Sequence, residues 1–330
     1  MKNPFVTNGY VSPEYFCDRE KETAKIVSLL TNENNIALIS PRRLGKTDLL
    51  RHCFGQPEIK EHYHTFIIDI YATSSVRDFV NVFGKAVLDE LRPKGKSVWG
   101  TFLNVLASLR SEITFDMNGQ PTWGIGLGAI TNPSATLDEI FSYLNNAGKP
   151  CLIAIDEFQQ ITKYADDPNI EAALRTHIQR CSNAHFVFSG SHRHLMGAMF
   201  TSPARPFYQS VTLINLPPIS VDKYAEFCLK HFERVSKHLD TLVVTELYER
   251  FNGITSYMQK VMNILFSMTG TGEICIPSMI DTAINDLLDF SADTYDALLY
   301  QMPEKQRIVF MAIAAEGKAK ACLLYTSDAA

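Results

Sequence analysis

The sequence predicts an α/β chain: a doubly wound parallel sheet followed by a helical domain. Two observations carry this. Five short β-rich apolar runs, most of them continuous rather than alternating, alternate with helical segments over the first 219 residues. Continuous apolar runs of this length suit parallel strands buried on both faces. From Ser220 onward the strand-like runs stop and helical periodicity takes over.

The elements follow in order. "NIALIS" (35–40) reads as the first strand, and "GKTDLLRHCF" as the helix after it. "TFIIDIY" (65–71) is the second strand, followed by the helical "SSVRDFVNVFGKAVLDEL". Between Leu109 and Ile130 the pattern alternates, and Asn118-Gly119 is a hairpin turn signal, so a hairpin insertion is expected at about 110–130. "ATLDEIFSYLNNAGKP" is a helix stopped by Gly148 and Pro150. "CLIAIDE" (151–157), with the helix "NIEAALRTHIQRCS" after it, "HFVFSGS" (185–191) and "VTLINLPPI" (211–219) supply the remaining strands. Strand–helix alternation of this kind is the mark of a doubly wound sheet. Residues 1–219 are therefore read as the α/β core and 220–290 as a separate helical domain. A last element, "PEKQRIVFMAIAAEGKAK", reads as a helix with Ile308, Val309, Met311 and Ile313 inward, and opens a third unit over 291–321.

Length and composition bound the rest. The 330 residues suit about two domains. With 46% hydrophobic and 20% charged residues the chain can build a core. A net charge of -5 excludes a uniformly basic nucleic-acid coat, though not a local basic patch. The N-terminal stretch lacks the apolar region of a signal peptide, and no apolar run approaches a membrane span, so a cytoplasmic protein is expected. The seven cysteines are scattered without a CxxC pair and read as reduced, buried thiols. His192 and His194 form a close histidine pair; without a third ligand nearby they read as loop or helix-start residues rather than a metal site.

"CLLYTSDAA" (322–330) breaks every pattern before it. It resembles the translated end of a transposon-based sequencing adapter at all nine positions, and is set apart from fold reasoning as a non-native tail. The expectation that follows is a gene cut short, with a C-terminal domain missing.

The chemistry starts at "SPRRLGKT" (40–47). A strand ends, a loop turns, and a helix opens at Gly45 or Lys46. Pro41 stiffens the loop, and amides from Arg42, Arg43, Leu44 and Gly45 onward, through Asp48, then surround one spot at a helix N-terminus, which suits an anion. Lys46 can reach β- and γ-phosphates, and the Thr47 hydroxyl can ligate Mg²⁺. Ser40 stands where the motif usually has its first glycine; it removes no donor. Gly45 is the less dispensable glycine, because backbone must pass close to the phosphates there. The second half is "CLIAIDEFQQI", an apolar strand ending in Asp156-Glu157. Two adjacent acids at a core edge are costly unless something uses them. Asp156 would hold the metal, directly or through water, and Glu157 would orient and deprotonate an attacking water.

These residues, with "PEYFCDREKE" (13–22) and "FSGSHRHLM" (188–196), resemble the AAA+ P-loop ATPases, in particular the archaeal-type branch near the STAND signalling ATPases. The likeness extends over about residues 10–290. It implies a P-loop NTPase core, a helical lid and the start of a truncated winged-helix domain, with ATP and Mg²⁺ as cofactors. In such proteins an F-x-x-R-E-x-E segment helps seat the adenine; here it maps onto Phe16, Arg19, Glu20 and Glu22. Ser189 and Ser191 are the candidates for the polar sensor on the fourth strand, with ordinary turn chemistry as the alternative. Arg205 lies where an arginine finger acts on a neighbour's γ-phosphate, a surface arginine being the other reading; Arg175 is a second candidate. The lid's "NGITSYMQK" keeps Gly253 but has Thr255 in place of a proline. No arginine sits in the next helical turns, leaving Lys260 as a substitute sensor or a solvated lysine.

The function implied is a slowly hydrolysing, nucleotide-driven switch, coupled to DNA or a protein partner through the missing domain. The alternatives are a ring-forming, homo-oligomeric, DNA-associated ATPase of the origin-recognition or loader kind, and a nucleotide-binding scaffold without catalysis. No membrane partner is expected.

Overall fold

The computed structural model describes residues 3–91, the residue pairs 114–115 and 121–122, and residues 133–316. At its centre is a five-stranded, wholly parallel sheet: β1 (Ile36–Ile39), β2 (His64–Asp69), β5 (Cys151–Asp156), β6 (Ala184–Gly190) and β7 (Thr212–Asn215), in the order β2-β5-β6-β1-β7. The inner strands β1, β5 and β6 are buried at every residue, which is why they read as unbroken apolar runs. The edge strands β2 and β7 are only partly buried.

Helices cover both faces. On one side α1 (Glu20–Thr31) and α2 (Lys46–Phe54) bury Ile26, Leu30, Leu49 and Leu50 against Leu38, Leu152, Ala154 and Val187. The short α3 (Pro57–His62) closes that side. Neither α1 nor α3 is marked in the sequence pattern: α1 begins inside the segment claimed by a motif, and α3 is too short to show a period. On the other side α4 (Val76–Glu90), α5 (Pro133–Asn145), α6 (Ile170–Arg180) and α7 (Arg193–Thr201) pack over Ile153, Ile155, Phe186 and Phe188. Phe158, Phe188, Phe200 and Phe207 form an aromatic cluster there, with ring centroids 4.4 to 6.1 Å apart. Such pairs add about 0.5–1.5 kcal/mol each beyond their buried area. Two two-residue strands, β3 (Thr114–Phe115) and β4 (Pro121–Thr122), pair antiparallel inside the expected hairpin insertion. The Asn118-Gly119 turn itself lies outside the described residues.

Beyond β7 the chain is helical: α8 (Val221–Glu233), α9 (Thr241–Phe251), α10 (Thr255–Met268), α11 (Ile280–Gln301) and α12 (Glu304–Glu316). A second core, including Phe5 from the N-terminal segment, joins α8, α9, α10 and the start of α11. Three features depart from the sequence reading. Strands do not stop at Ser220: His238–Leu239 and Ile274–Cys275 form a parallel pair, each too short to leave a periodic trace. The helix α11 runs unbroken through position 290, where a boundary was expected. Ile308, Val309 and Met311 point outward, and no residue of α12 is buried, because nothing among the described residues packs on it. Phe290 and Tyr300 on α11 are likewise 86% and 85% exposed. The tail 322–330 lies outside the described residues.

The six cysteines of the described part are free and buried. Burial pushes the Cys17, Cys53 and Cys151 thiols up to about 12, so they stay protonated and inert.

Candidate active site

Parallel strands all end on the same edge of the sheet, and ligands of open α/β sheets bind beyond the carboxyl ends of the strands. Three of those ends meet here. Ile39 of β1 pairs with Gly190 of β6, so Ser40 and Ser191 leave the sheet side by side; β5 ends next to them at Asp156.

The loop after β1 turns through positive φ at Arg43 (68°) and Gly45 (81°), and α2 begins at Lys46. Left-handed residues in such a turn set successive amides toward one concavity, the usual way a backbone makes an anion site. Gly45 needs its φ; Arg43 holds one at a cost. Ser40 does not take a positive φ, so the glycine usual at that place is not required by the backbone. Its Oγ donates to the Pro41 carbonyl oxygen at 3.0 Å. Lys46 is buried under the loop, with Nζ donating to the carbonyl oxygens of Ser40 (3.1 Å) and Pro41 (3.2 Å). Burial pulls its ammonium below the usual lysine range, opposed by the carboxylates of Asp156 and Glu157.

Alternation along β5 turns Asp156 to the same face as Leu152 and Ala154, toward α2. The Thr47 hydroxyl donates to Asp156 Oδ2, and Asp156 Oδ1 accepts from the Glu157 amide at 3.0 Å. Glu157 stands in the left-handed region at φ 55°, an arrangement that costs about 1–3 kcal/mol and that clusters at functional sites. Its Oε2 accepts from Ser191 Oγ (2.8 Å) and from Gln159 Nε2 (2.5 Å). Ser191 Oγ also accepts from Arg42 Nε at 3.3 Å. Ser189, one residue back from Gly190, is fully buried with its hydroxyl unpartnered among the described residues.

Gln159 was not singled out in the sequence, although it stands two places after the acidic pair. Its side chain lies over Gly190: a Cβ there would come within 2.4 Å of Gln159 Oε1 and 2.5 Å of Met196 Sδ. Gly190→Ala is therefore expected to lower stability by about 1–3 kcal/mol and to displace Gln159 from Glu157. A melting temperature equal to the wild type would show that the site has room to spare.

The cleft these residues line has a volume of about 560 Å³ and reaches from Asp156 and Glu157 to the N-terminal segment and α10. Phe16 lines it, stacked on His52 at 4.4 Å with Tyr10 edge-on at 5.6 Å. Arg19, only 3% exposed, also lines the cleft; its guanidinium donates to the Pro217 carbonyl oxygen (2.7 Å) and pairs with Glu22 (2.9 Å), tying the segment to the β7–α8 connection. Asp48 also lines the cleft, and burial raises its carboxyl above the usual range, with Arg51 opposing.

The remaining candidates lie apart. Arg205 does not line the cleft of its own chain and pairs with Glu171 on α6, whose carboxyl burial pushes up while Arg205 opposes. Arg175 sits on α6 with its Nε buried and unpartnered among the described residues. Lys260 is exposed on α10 and does not line the cleft, whereas Thr255, Ser256 and Gln259 do. His192 and His194 are exposed at the start of α7, and no cluster of His, Cys, Asp or Glu able to hold a metal is present among the described residues. No helix among the described residues is long and apolar enough to cross a membrane.

Over residues 16–261 the sequence matches an ATPase domain found predominantly in Archaea. The chain belongs to this family of archaeal-type AAA+ P-loop ATPases. The matched stretch takes in the β1 loop, the β5 acids and the first turns of α10 of this archaeal-type ATPase. Comparison with curated protein sequences finds no match. Among solved structures, a Walker-type ATPase of Pyrococcus abyssi is similar at 17% identity, over 90% of this chain and 79% of that one, with a TM-score of 0.59. The Aeropyrum pernix ORC1 protein in complex with DNA is similar at 12% identity (92% and 73% covered, TM-score 0.57). The ORC2 protein of the same organism, in ADPNP–ADP complexes, is similar at 14% (86% and 71%, TM-score 0.57). At these identities the likeness is one of fold.

Proposed function

We propose that the chain binds ATP in the cleft and hydrolyses it slowly, and that the nucleotide state sets how the helical part sits on the α/β core. The observation that carries this is the meeting of Lys46, Thr47, Asp156 and Glu157 at the ends of two neighbouring elements, beside a loop built for an anion. A packing role explains none of these four polar side chains.

Each residue has a part. Lys46 and the loop amides hold the phosphates. Glu157, held by Ser191 and Gln159, orients the attacking water and takes its proton. Ser191, at the sensor position, stands between Glu157 and the loop; Ser189 lies deeper and backs the strand end. Thr47 and Asp156 offer an all-oxygen pair, the donor chemistry of a hard cation that shares its ligands with phosphates. Mg²⁺ held there would neutralise phosphate charge. Turnover is accordingly expected to fall to background in excess EDTA and to return with added Mg²⁺, measured as phosphate release. Full activity in EDTA would remove the metal from the reading.

A direct link supports the switch. Ser256 of α10 donates its amide to the Arg43 carbonyl oxygen at 3.2 Å, and the Arg43 guanidinium donates to Tyr257 Oη and lies 4.8 Å over its ring. A ligand that rearranges the loop therefore acts directly on the helical part, whose orientation it would bias. Output to DNA or a protein partner is part of this proposal. The second reading, a ring-forming DNA-associated ATPase, draws on the fold shared with the DNA-bound ORC1 protein. It requires Arg205 to act on a neighbour's nucleotide.

A further inference from the structure

We propose that Arg42, from the chain's own phosphate loop, is a catalytic residue: it supplies the positive charge that stabilises phosphoryl transfer, in place of an arginine from a neighbouring subunit. The inference rests on the ATPase reading above and adds a residue to it.

Two arginines follow one another in the loop, and they do different things. Arg43 turns away to Tyr257 on α10. Arg42 turns to the strand ends. Its Nε donates to Ser191 Oγ at 3.3 Å, and that hydroxyl donates to Glu157 Oε2 at 2.8 Å. Its Cζ lies 5.5 Å from the centre of the Tyr71 ring, in the turn just beyond β2. One guanidinium is thus held from two sides, by a hydrogen bond and by a ring face. Its two terminal NH₂ groups take no hydrogen-bond partner among the described residues, and both Arg42 and Tyr71 line the cleft. The charge stands one hydroxyl away from the carboxylate that would hold the attacking water.

That is where charge develops. In the step, the water oxygen forms a bond to the γ-phosphorus while the bond from phosphorus to the β,γ-bridging oxygen breaks. The electron pair of that bond leaves with ADP. The proton of the water passes to the Glu157 carboxylate and from there to the phosphate product. Negative charge on the γ-oxygens and the bridging oxygen is what a nearby guanidinium stabilises most. Arg's planar fork serves this better than a lysine, because one nitrogen can keep its positioning bond while others face the phosphate.

Arg205 is the less available group. It is engaged with Glu171, a largely buried carboxylate, and its own Nε is buried. Using it on a neighbour would leave Glu171 without its partner.

The test uses the full chain with Mg-ATP. Arg42→Ala is expected to lower kcat by about 10²-fold or more, with affinity for a non-hydrolysable ATP analogue within about threefold of the wild type. Arg42→Lys should recover only part of the rate. Added guanidinium should raise Arg42→Ala turnover, and trapping of ADP with aluminium fluoride should be lost in that variant; a merely structural role would move neither. Activity per chain should be constant across a dilution series. The proposal is overturned if Arg42→Ala turns over at the wild-type rate. It is equally overturned if activity per chain rises with concentration and a mixture of Lys46→Ala and Arg205→Ala chains regains activity. Should Lys46→Ala bind and hydrolyse ATP normally, it is the ATPase site itself that fails, a result separable from either outcome for Arg42.

Discussion

Lys46→Ala is expected to lower ATP affinity by about 10- to 10²-fold, the worth of a charge-assisted bond to phosphate of about 1.5–3 kcal/mol at 1.4 kcal/mol per decade. In this structure the ammonium is held against the loop carbonyl oxygens of Ser40 and Pro41, buried and close to two carboxylates. A buried cation whose hydrogen-bond partners are neutral oxygens is costly to keep, and a phosphate is the ligand that repays it. Removing the ammonium takes away the charge buried against the loop while leaving the strand–loop–helix backbone in place. Titration calorimetry with ATP is the measurement, with circular dichroism to show that the variant is folded. An affinity within threefold of the wild type would sink the assignment of the loop.

Glu157→Gln should separate binding from chemistry. The amide keeps the size of the side chain and an oxygen able to accept from Ser191, so nucleotide should bind as before. It cannot take the proton of the attacking water, and turnover should fall by about 10²- to 10⁴-fold, the usual worth of a general base. The strained φ of Glu157 gives a structural reason to expect a special role: a non-glycine residue held in the left-handed region at a strand end is maintained by its surroundings, here the amide bond to Asp156 and the two donors on Oε2. Single-turnover hydrolysis of radiolabelled ATP is the readout. Unchanged rates would take Glu157 out of catalysis and favour a scaffold that binds without hydrolysing.

Much of the fold was legible because parallel strands buried on both faces leave an unmistakable trace. β1, β5 and β6 are buried throughout and appear in the chain as apolar runs ending in polar residues. The polar endings were legible too: Gly45-Lys46-Thr47 and Asp156-Glu157 are local motifs, each written in consecutive residues. What local pattern could not carry was anything with a short period or an outside partner. The two-residue strands His238–Leu239 and Ile274–Cys275 are one case. The apolar face of α12 is another, since a helical pattern says which residues share a side but not whether anything covers it.

The chain's own letters were enough to place phosphate loop, acidic strand end and helical follow-on in order, because secondary structure and strand-end chemistry are encoded over a few neighbouring residues. Folding in three dimensions settled the partnerships. Thr47 meets Asp156 across 109 positions, Arg42 meets Ser191 across 149, and Ser191 meets Glu157 across 34. No periodicity spans such separations. They are closed by the sheet order β2-β5-β6-β1-β7, which brings β1 and β6 side by side although most of the α/β core lies between them in sequence. In the same fold Arg205 pairs with Glu171, and Arg42 meets Ser191 beside the acids, two contacts that no local motif encodes.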